Sequence, residues 1–320
     1  MQPAPRVAFG VIADIQFADA EDGHDFGGTR RRYYRHSLRL LRDAVREWAA
    51  ERPPVGFVLQ LGDSIDGLNA RRGEAEAEAA LRRVLEALAV LPVPVHHAWG
   101  NHELYNFSRV QLARSGLRSR PAGGSAGPPD PLCHAYHCSP AAGLRLVVLD
   151  AYDLSPLGRE PGSALREEAL RLLRDKNHNE DLNNPAGLNE PHFVAFNGGF
   201  SQAQLDWFSD VLKFSDENQE KVIVMGHLPI HPYASNGVCL AWNYEAALAV
   251  IHSHRCVVCV LAGHLHDGAY CLDSHGVHHL TLEGVVETPP ESNAFGTMYV
   301  YEDKLILKGR GRIADRVMHF

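Results

Sequence analysis

The sequence has no apolar run long enough to cross a membrane. Its longest apolar runs, such as Val257–Ala262, are far shorter than the roughly 20 apolar residues of a transmembrane helix. The N-terminal residues lack a long apolar segment followed by small residues at a cleavage site, so we expect no signal peptide. These absences predict a soluble, cytoplasmic protein that does not act on a membrane.

Positive charge is also in deficit. The chain has 31 Lys and Arg residues against 39 Asp and Glu residues, which gives a formal net charge of −8. Because proteins that follow a nucleic-acid backbone need an excess of basic residues, we expect no nucleic-acid partner. A small anionic substrate is compatible with this charge if bound metal ions supply local positive charge.

Cysteine is scarce and has no spacing typical of a disulfide framework. The six cysteines include one C-x-x-C pair, Cys256 and Cys259. This pair lies inside an apolar run that predicts a strand, where residues three apart point to opposite faces and cannot easily share one ion. We therefore expect buried free thiols, as in a reducing cytosol.

The residue type present in excess is histidine, with 19 copies, and histidine is the commonest metal ligand among side chains. The 320 residues are 45% hydrophobic and 22% charged, as expected of a globular protein. No repeat or linker divides the chain. We predict one domain over residues 1–320, with irregular insertions near 104–143 and 175–199.

Short apolar runs alternate with amphipathic patterns along the first hundred residues. These patterns predict, in order, strand Val7–Ala13, a helix with Thr29 as its N-cap, strand Val55–Leu61, helix Gly73–Leu91 and strand Val93–Ala98. A β-α-β-α-β order is typical of layered α/β folds. The later elements predicted in the same way are strands Leu144–Asp150, Lys221–Met225 and Cys256–Ala262, helices Leu165–Arg174, Ser201–Phe214 and Tyr244–His252, and a closing antiparallel set after Gly268.

Residues of the types that bind metals follow several of these predicted strands at their carboxyl ends. They are Asp14, Gln16, Asp63, Asn101, His102, His227, His264 and His266. The carboxyl ends of strands form the edge at which open α/β sheets bind ligands. Oxygen ligands and imidazoles around a shared aspartate suit two divalent ions of intermediate hardness, such as Mn²⁺, Mg²⁺ or Zn²⁺.

These residues lie in five ordered motifs, D-x-Q, G-D, G-N-H-E, G-H and G-H-x-H. The motifs resemble the calcineurin-like metallophosphoesterase superfamily over residues 14–266. The resemblance implies a four-layer α-β-β-α sandwich of two mixed sheets, with two metal ions at the strand ends. Carried over motif by motif, it implies that one ion is held by Asp14, Gln16, Asp63 and His266, and the other by Asp63 (bridging), Asn101, His227 and His264.

Longer segments resemble one particular family within this superfamily. The segments A-D-I-Q, E-D-G, G-T-R-R-R-Y-Y-R, the Asn-rich stretch ending in F-N-G-G-F-S, and G-H-L-P-I-H-P resemble the manganese-dependent ADP-ribose/CDP-alcohol diphosphatases. Gln16 departs from the His most common in the wider superfamily. Because an amide oxygen is harder than an imidazole nitrogen, this change favours Mn²⁺ or Mg²⁺ over iron. We expect two divalent ions, Mn²⁺ first, with Mg²⁺ or Zn²⁺ as alternatives.

The reaction implied by the resemblance is hydrolysis of a pyrophosphate bond by a hydroxide that bridges the two ions. ADP-ribose would give AMP and ribose 5-phosphate, and CDP-choline, CDP-ethanolamine or CDP-glycerol would give CMP and the phosphoalcohol. Asp63 would hold both ions, and His102 would protonate the leaving phosphate or stabilise the transition state. We expect the protein to act as a monomer on a small nucleotide substrate.

Two alternatives to this function remain. One is another metallophosphoesterase activity, on cyclic nucleotides or phosphomonoesters. The other is a metal-binding scaffold without turnover. Such scaffolds typically lose a metal ligand or the histidine of the G-N-H motif, and both are intact in this sequence.

Substrate contacts are predicted in loops beside the motifs. Arg31, within the basic stretch Arg30–Arg35, could bind a diphosphate through its guanidinium, and a solvated helix face is an equal alternative. Phe26 and Cys239 each follow a metal-ligand motif, where they could contact the nucleotide or simply pack.

Four other polar residues near the motifs have supporting roles. We expect Glu103 to bond the backbone or a neighbouring group, and Asp66 to be a loop residue rather than a ligand. His97 and His231 could support metal ligands through hydrogen bonds, with packed histidines as the alternative.

Overall fold

Two six-stranded mixed sheets form the centre of the protein. The computed structural model describes residues 4–25, 27–119 and 127–320. In these ranges the strands are β1 (Val7–Ile12), β2 (Gly23–His24), β3 (Arg31–Arg32), β4 (Val55–Gln60), β5 (Val95–His97), β6 (Tyr136–Ala141), β7 (Leu144–Val148), β8 (Lys221–Met225), β9 (Val257–Ala262), β10 (Asp267–Leu272), β11 (His278–Glu283), β12 (Ala294–Val300), β13 (Lys304–Gly311) and β14 (Arg316–His319).

The first sheet has the order β14-β13-β12-β1-β4-β5, and the second has the order β10-β11-β9-β8-β7-β6. Strands β1, β4 and β5 run parallel to one another, as do β7, β8, β9 and β11. The remaining pairings in the two sheets are antiparallel. The parallel strands of each sheet thus end at one edge, where the predicted metal ligands follow them.

Helices pack on both sheets. They are α1 (Tyr34–Ala50), α2 (Glu74–Leu88), α3 (Asn101–Asn106), α4 (Arg109–Leu112), α5 (Ala164–Lys176), α6 (Gln202–Glu217) and α7 (Tyr244–His252). Helices α1 and α2 contact each other, and α1 contacts β12; α6 contacts α7 and β8. Trp48 of α1 shows why this face is buried: its ring meets Phe295 edge-on at 5.4 Å, and its Nε1 donates to the Gly296 carbonyl at 3.1 Å.

Apolar side chains of both sheets form one continuous core. On the first sheet Phe9 and Phe57 stack with ring centroids 4.7 Å apart. Val147 and Leu261, on the second sheet, belong to the same buried cluster. The expected α/β architecture with two mixed sheets is therefore confirmed, and the shared core holds the two ligand-bearing edges in fixed positions.

The start of the first helix was predicted wrongly. Helix α1 begins at Tyr34, and Thr29 is not its N-cap. Instead, the Thr29 hydroxyl and backbone N–H both donate to the Asp25 carboxylate, at 3.0 and 2.7 Å. Arg31 and Arg32 then pair with β2 as a short strand. The Asp25 side chain thus closes a loop through the residues that would otherwise have formed a helical turn.

The last strands of the chain were predicted to form one antiparallel set, but they belong to two different sheets. Strands β10 and β11 belong to the second sheet, and β12, β13 and β14 belong to the first. Strands β9, β10 and β11 all lie in the second sheet, where β11 is inserted between β10 and β9 and pairs in parallel with β9. A period of two shows that these segments are strands, but it carries no information about which sheet each one joins.

Other predictions about local structure are confirmed. Ser201 caps α6 by accepting a hydrogen bond from the Gln204 backbone N–H at 3.2 Å. Cys256 and Cys259 are buried free thiols. Between residues 177 and 199 the chain is irregular, and it rejoins the fold through a bridge from Gly199 to Leu154. Among the described helices, none is long and apolar enough to pass through a bilayer.

Candidate metal centre

The strand ends bring the eight predicted centre residues into adjacent loops. Asp14 and Gln16 follow β1, and Asp63 follows β4. The others come after β5, β8 and β9, and they are Asn101, His102, His227, His264 and His266. His102 and His264 are partly buried and the other six are buried, so the centre lies below the protein surface.

The backbone of this centre is strained at four of the predicted ligands. Asp14, Gln16, Asp63 and His264 have positive φ values of 51°, 43°, 56° and 68°. This left-handed region is costly for residues with a Cβ, and such residues persist where the surrounding structure holds them. In each loop the left-handed turn follows directly after a buried strand. Several left-handed residues with side chains, gathered at one place, are typical of a functional site.

Asp63 lies in the middle of the centre. Its Oδ2 is 3.2 Å from Gln16 Nε2 and 3.3 Å from His227 Nε2, and its Oδ1 accepts a hydrogen bond from the His102 backbone N–H at 2.9 Å. Burial alone would raise the pKa of Asp63, but the surrounding imidazoles, first His227, hold that pKa well below its usual range. Asp63 is therefore an ionised carboxylate that reaches both halves of the centre.

The remaining ligand atoms form two groups around Asp63. In one, His266 Nε2 is 3.3 Å from Asp14 Oδ1 and 3.0 Å from Gln16 Nε2. In the other, His264 Nδ1 is 3.2 Å from His227 Nε2. Ligand atoms of Asp63, His227 and His264 all lie within 4.8 Å of one another. Six of the seven residues that the resemblance implies as ligands thus lie close together, and these contacts do not include Asn101.

Unpaired polar atoms show that this donor set fits cations. Asp14 Oδ1 and Gln16 Oε1 are buried and have no hydrogen-bond partner in the described structure. Such atoms are costly to bury unless a ligand pairs with them. Burial would lower the pKa of His227, but Asp63 outweighs it and raises the pKa to about 9. Without an ion, a proton thus supplies the positive charge that the carboxylates require.

Two motif glycines explain the close approach of the strands. A Cβ at Gly100 would lie well under 3.0 Å from Asp63 Oδ1, and a Cβ at Gly62, where φ is 99°, would lie equally close to His227 Nδ1. Real Cβ atoms essentially never approach so closely. The G-D and G-N motifs therefore need glycine because the neighbouring ligand occupies the space of a side chain.

A surrounding set of hydrogen bonds orients the imidazoles. The Leu61 carbonyl lies 2.8 Å from His227 Nδ1, Glu287 Oε1 lies 2.7 Å from His266 Nδ1, and Asn197 Oδ1 lies 2.8 Å from His264 Nε2. Outer partners of this kind fix the tautomer and the ring orientation of metal-binding histidines. The sequence analysis missed Asn197 and Glu287, although Asn197 lies within the F-N-G-G-F-S segment that carried the narrower resemblance.

Glu103 has the structural role expected of it. Its carboxylate accepts hydrogen bonds from the backbone N–H groups of Asp63 and Gly100, both at 2.8 Å, and from that of Ser64. Burial and the nearby Asp63 charge raise the pKa of Glu103 to about 7.

Asn101 is held by Tyr152, a residue that was not predicted from the sequence. The Tyr152 hydroxyl donates to Asn101 Oδ1 at 3.1 Å.

His102 is held by residues of the loop after β4. The Gly67 backbone N–H donates to His102 Nδ1 at 2.8 Å, and Asp66 Oδ2 lies 3.3 Å from the same nitrogen. In the neutral ring this leaves the hydrogen on Nε2, which is 3.9 Å from Asp63 Oδ2.

Burial would lower the pKa of His102, but the charges of Asp63 and Asp66 raise it. Asp66 Oδ2 has no hydrogen-bond partner in the described structure, so Asp66 acts on His102 as a nearby charge. Burial opposes ionisation of Asp66, but the nearby His102 keeps the pKa of Asp66 below its usual value.

A cleft of about 820 Å³ opens above the centre. Arg30, Arg32 and Cys239 line it, together with Asn183 and Phe196 from the irregular segment. Further lining residues include Tyr34, Tyr105, Leu157 and Asn236. The cleft thus combines cationic, amide and aromatic groups beside the predicted metal ligands.

The structure separates the arginines of the basic stretch. Arg31 is 60% exposed and pairs with Asp22 at 2.8 Å, and it does not line the cleft. Arg32 is 18% exposed, and its Nε lies 3.3 Å from Glu287 Oε1.

Cys239 lines the cleft, where burial raises its pKa to about 12. Phe26 lies outside the described residues.

Neither of the two supporting histidines contacts the predicted ligands. His97 is buried, with its Nδ1 3.3 Å from Gln60 Oε1. His231 Nδ1 lies 3.2 Å from the Cys271 thiol, outside the cleft. His97 contacts the centre only indirectly. It contacts Gln60, and Gln60 Nε2 donates to the carbonyl of Gly62, the residue before Asp63, at 2.7 Å.

Comparisons with known proteins agree with this geometry. The chain matches the family model for calcineurin-like phosphoesterases over residues 7–268. It is 54% identical over 98% of its length to a Bos taurus protein named manganese-dependent ADP-ribose/CDP-alcohol diphosphatase, of which it covers 94%. An Arabidopsis thaliana protein of the same name is 38% identical, over 97% of this chain and 96% of that protein.

Solved structures give the same result. A dimetal phosphatase from Danio rerio superposes with a TM-score of 0.94 and 51% sequence identity, over 99% of both chains. A purple acid phosphatase from yellow lupin shares the fold alone, with a TM-score of 0.55 and 13% identity over 99% of this chain and 53% of that one. By the extent of these matches, this chain belongs to the calcineurin-like phosphoesterase family.

Proposed function

We propose that this protein hydrolyses the pyrophosphate bond of nucleoside-diphosphate-linked small molecules, with ADP-ribose and CDP-alcohols as substrates and Mn²⁺ as the metal. One observation carries the proposal: 54% identity over 98% of the chain to a protein named for this activity. The match extends over 98% of the chain and so is not confined to the motifs that carry the predicted ligands. Water adds across the P–O–P bridge, so ADP-ribose yields AMP and ribose 5-phosphate.

The proposed ligands are those of the two groups around Asp63. Asp14, Gln16 and His266 would bind one ion, and Asp63 would bind both. Asn101, His227 and His264 would complete the second set. Oxygen ligands make up four of these seven residues, and a donor set that mixes oxygens and imidazoles is compatible with Mn²⁺. Gln16 would use its Oε1, a buried atom that has no hydrogen-bond partner in the described structure.

Two bound divalent ions would activate a water molecule and neutralise charge on the phosphoryl oxygens. Residues of the chain would bind the substrate and supply the proton. Arg32 would bind a phosphate through its planar guanidinium, which matches phosphate oxygens. His102 would donate the Nε2 hydrogen to the leaving phosphate, because Gly67 occupies the opposite ring nitrogen.

The cleft has the size and the chemistry for such a substrate. Its volume of about 820 Å³ lies within the range of small-molecule sites, which is about 300–1,000 Å³. Tyr105 and Phe196 offer aromatic surface to a base, and Asn183 and Asn236 offer amide groups to hydroxyls of a ribose. Arg30 and Arg32 line the same cleft and supply positive charge for a diphosphate.

Metal-stripped protein supplied with Mn²⁺, Mg²⁺ or Zn²⁺ tests the proposal. The substrates are ADP-ribose, CDP-choline, cyclic AMP and a phosphomonoester, with products identified chromatographically. We expect release of AMP and CMP that requires Mn²⁺. Turnover of only the cyclic nucleotide or the monoester would reject the pyrophosphate assignment. Binding of two ions without any turnover would indicate a scaffold instead.

We also propose that the protein works as a single-domain monomer in the cytoplasm. The cysteines in the described structure are free thiols, as expected in a reducing compartment. Sedimentation at working concentration tests the monomer, and a dimer would contradict it.

A further inference from the structure

A second cluster of imidazoles lies outside the cleft, on the second sheet. Asp273 follows β10 in the turn to β11, and His279 lies on β11. His231 comes from the loop after β8, and His252 is the last residue of α7. Three parts of the chain, namely the loop after β8, the end of α7 and the β10–β11 hairpin, thus meet at this cluster. None of these four residues lines the cleft above the candidate metal centre.

Asp273 is the centre of this cluster. Its Oδ2 lies 3.0 Å from His279 Nε2 and 2.9 Å from His252 Nε2. Its Oδ1 accepts backbone N–H groups of His275 and Val277, both at 2.9 Å, which fixes the carboxylate in its turn. Ligand atoms of His231, Asp273 and His279 all lie within 4.8 Å of one another. That spacing allows one ion to contact all three.

His279 is the most buried imidazole of the cluster, with its ring 2% exposed. Its Nε2 lies 3.0 Å from Asp273 Oδ2, so an ion shared with this carboxylate would bind Nε2. The ion would replace the hydrogen that Nε2 shares with Asp273, and the ring hydrogen would lie on Nδ1. Nδ1 has no hydrogen-bond partner in the described structure.

The ionisation states of the cluster are those that a metal requires. Burial lowers the pKa of His279 to about 4 and lowers that of His231, so both rings are neutral near pH 7. Burial opposes ionisation of Asp273, but hydrogen bonds, first from the Val277 N–H, hold the pKa of Asp273 well below its usual value. Metal ligands must be neutral imidazoles and ionised carboxylates.

We propose that His231, Asp273 and His279 bind one Zn²⁺ ion, a third metal site of this protein. Two imidazoles and one carboxylate are a zinc ligand set that leaves a fourth position for water. His252 orients the Asp273 carboxylate from outside this set, as outer partners of metal ligands do. The donors include one carboxylate and two imidazoles, so this site takes Zn²⁺ in preference to the harder Mn²⁺.

A bound ion here joins parts of the chain that lead to the catalytic centre. His231 lies four residues after His227, and Asp273 and His279 flank the turn between the two strands that follow His266. Zinc would therefore tie the loop after β8 to the β10–β11 hairpin. Since the ion binds the folded chain, it raises stability in proportion to its concentration above Kd.

The simpler alternative is a hydrogen-bonded His-Asp-His cluster that never binds metal. A matched control exists in the same chain. His254 Nδ1 lies 2.9 Å from Asp216 Oδ2, a pair with the same kind of bond that is more exposed than Asp273 and His279 and has no second imidazole. Replacing His254 should disturb a His-Asp hydrogen bond without removing a metal ligand.

Zinc stoichiometry tests the site. The whole chain is stripped of metal, saturated with Zn²⁺ against a chelator that holds free zinc near 1 μM, and analysed by elemental mass spectrometry. Wild type and His254→Asn should retain one more zinc per chain than Asp273→Asn and His279→Gln. Asp273→Asn keeps an acceptor for the two backbone N–H groups, so it preserves the turn. Loss of a ligand should weaken this site by more than about 100-fold, since even outer partners contribute about 10- to 100-fold.

Two measurements keep the test independent of catalysis and of folding of the variants. Anomalous diffraction at the zinc edge should show density between His231, Asp273 and His279 in wild-type crystals. The melting temperature of wild type should rise with zinc beyond saturation of the dimetal centre, and that of Asp273→Asn should not. Equal zinc content in all four proteins, or no density at Asp273, would overturn the proposal, whatever the result of the pyrophosphatase assay.

Discussion

The Glu287 carboxylate is hydrogen-bonded to the His266 ring, with Oε1 2.7 Å from Nδ1. The same oxygen lies 3.3 Å from Arg32 Nε. Arg32 also lies 3.9 Å from Asp66, the carboxylate beside His102. One arginine of the cleft is therefore linked through two carboxylates to a proposed metal ligand and to the proposed proton donor. We expect a phosphate bound at Arg32 to affect both residues through these contacts.

Glu287→Gln should weaken the affinity for Mn²⁺ by about 10- to 100-fold, the usual effect of losing an outer partner. The amide can still accept from His266 Nδ1 but no longer polarises the ring. Calorimetric titration of metal-stripped protein measures the change. Glu291→Gln, at an exposed glutamate nearby, is the control and should bind Mn²⁺ as wild type does. Unchanged affinity in Glu287→Gln would contradict the role given to this carboxylate.

Arg32→Ala should reduce kcat/KM for ADP-ribose by about 10- to 100-fold, because a hydrogen bond to a charged group contributes about 1.5–3 kcal/mol. Arg31→Ala should change it by less than about twofold, since Arg31 is 60% exposed and pairs with Asp22. Steady-state kinetics of the two variants, with Arg32→Lys as an intermediate case, compares them. A large effect at Arg31 with none at Arg32 would support the contact predicted from sequence.

The close approach of the residues proposed as metal ligands could be predicted from sequence because each follows the end of a strand. Asp63 and His227 each follow a glycine at the end of a buried strand, and the order of motifs places them together. Arg32 and Glu287 could not be paired in this way. Their distance of 3.3 Å depends on where a loop after β1 meets the turn after β11, and neither strand pattern contains that information.

The fold shows the same division between local and distant information. Helix α7 has the bounds that the sequence predicts, Tyr244–His252, because amphipathic spacing decides it locally. Strand β11 was predicted as a strand, but its parallel pairing with β9 depends on the path of the chain between sheets. The Thr29 turn was missed because a single side chain, Asp25, competes there with helix formation.

Gly100→Ala should abolish tight metal binding and lower the free energy of unfolding by about 1–3 kcal/mol, the usual cost of forcing atoms into a packed site. The new Cβ would collide with Asp63 Oδ1. Gly226→Ala is a matched control, since its Cβ would have ordinary contacts of 3.6 Å or more although it also precedes a ligand. Metal content and urea unfolding measure both. Equal damage from the two substitutions would contradict the steric explanation.

Acid should destabilise the folded protein between about pH 6.5 and pH 4. Burial lowers the pKa of His96 and of His134 to about 4, whereas an unfolded chain has a value of about 6.5. As the pH falls, the unfolded form takes up protons first, so stability is complete above pH 6.5 and is lost towards pH 4. Each buried histidine should contribute up to about 1.4 kcal/mol per pH unit.

Urea unfolding of chelator-treated protein at pH 7.0, 6.0 and 5.0 measures this slope. His96→Gln should reduce the slope by the contribution of one histidine, whatever its effect on stability at pH 7. His178→Gln, at an exposed histidine, should leave the slope as in wild type. An unchanged slope in His96→Gln would show that the acid sensitivity has another source.

His102→Ala should lower kcat for ADP-ribose by about 10²- to 10⁴-fold, the range for loss of a general acid, with both metal ions retained. The loss should be smaller for a nitrophenyl ester of a nucleoside monophosphate, because nitrophenolate leaves without a proton. This comparison separates the two roles open to His102, whose Nε2 hydrogen is fixed by the Gly67 N–H on Nδ1. An equal loss for both substrates would mean that His102 stabilises charge on the attacked phosphoryl group instead. Loss of metal from the variant would mean that the ring has a structural role.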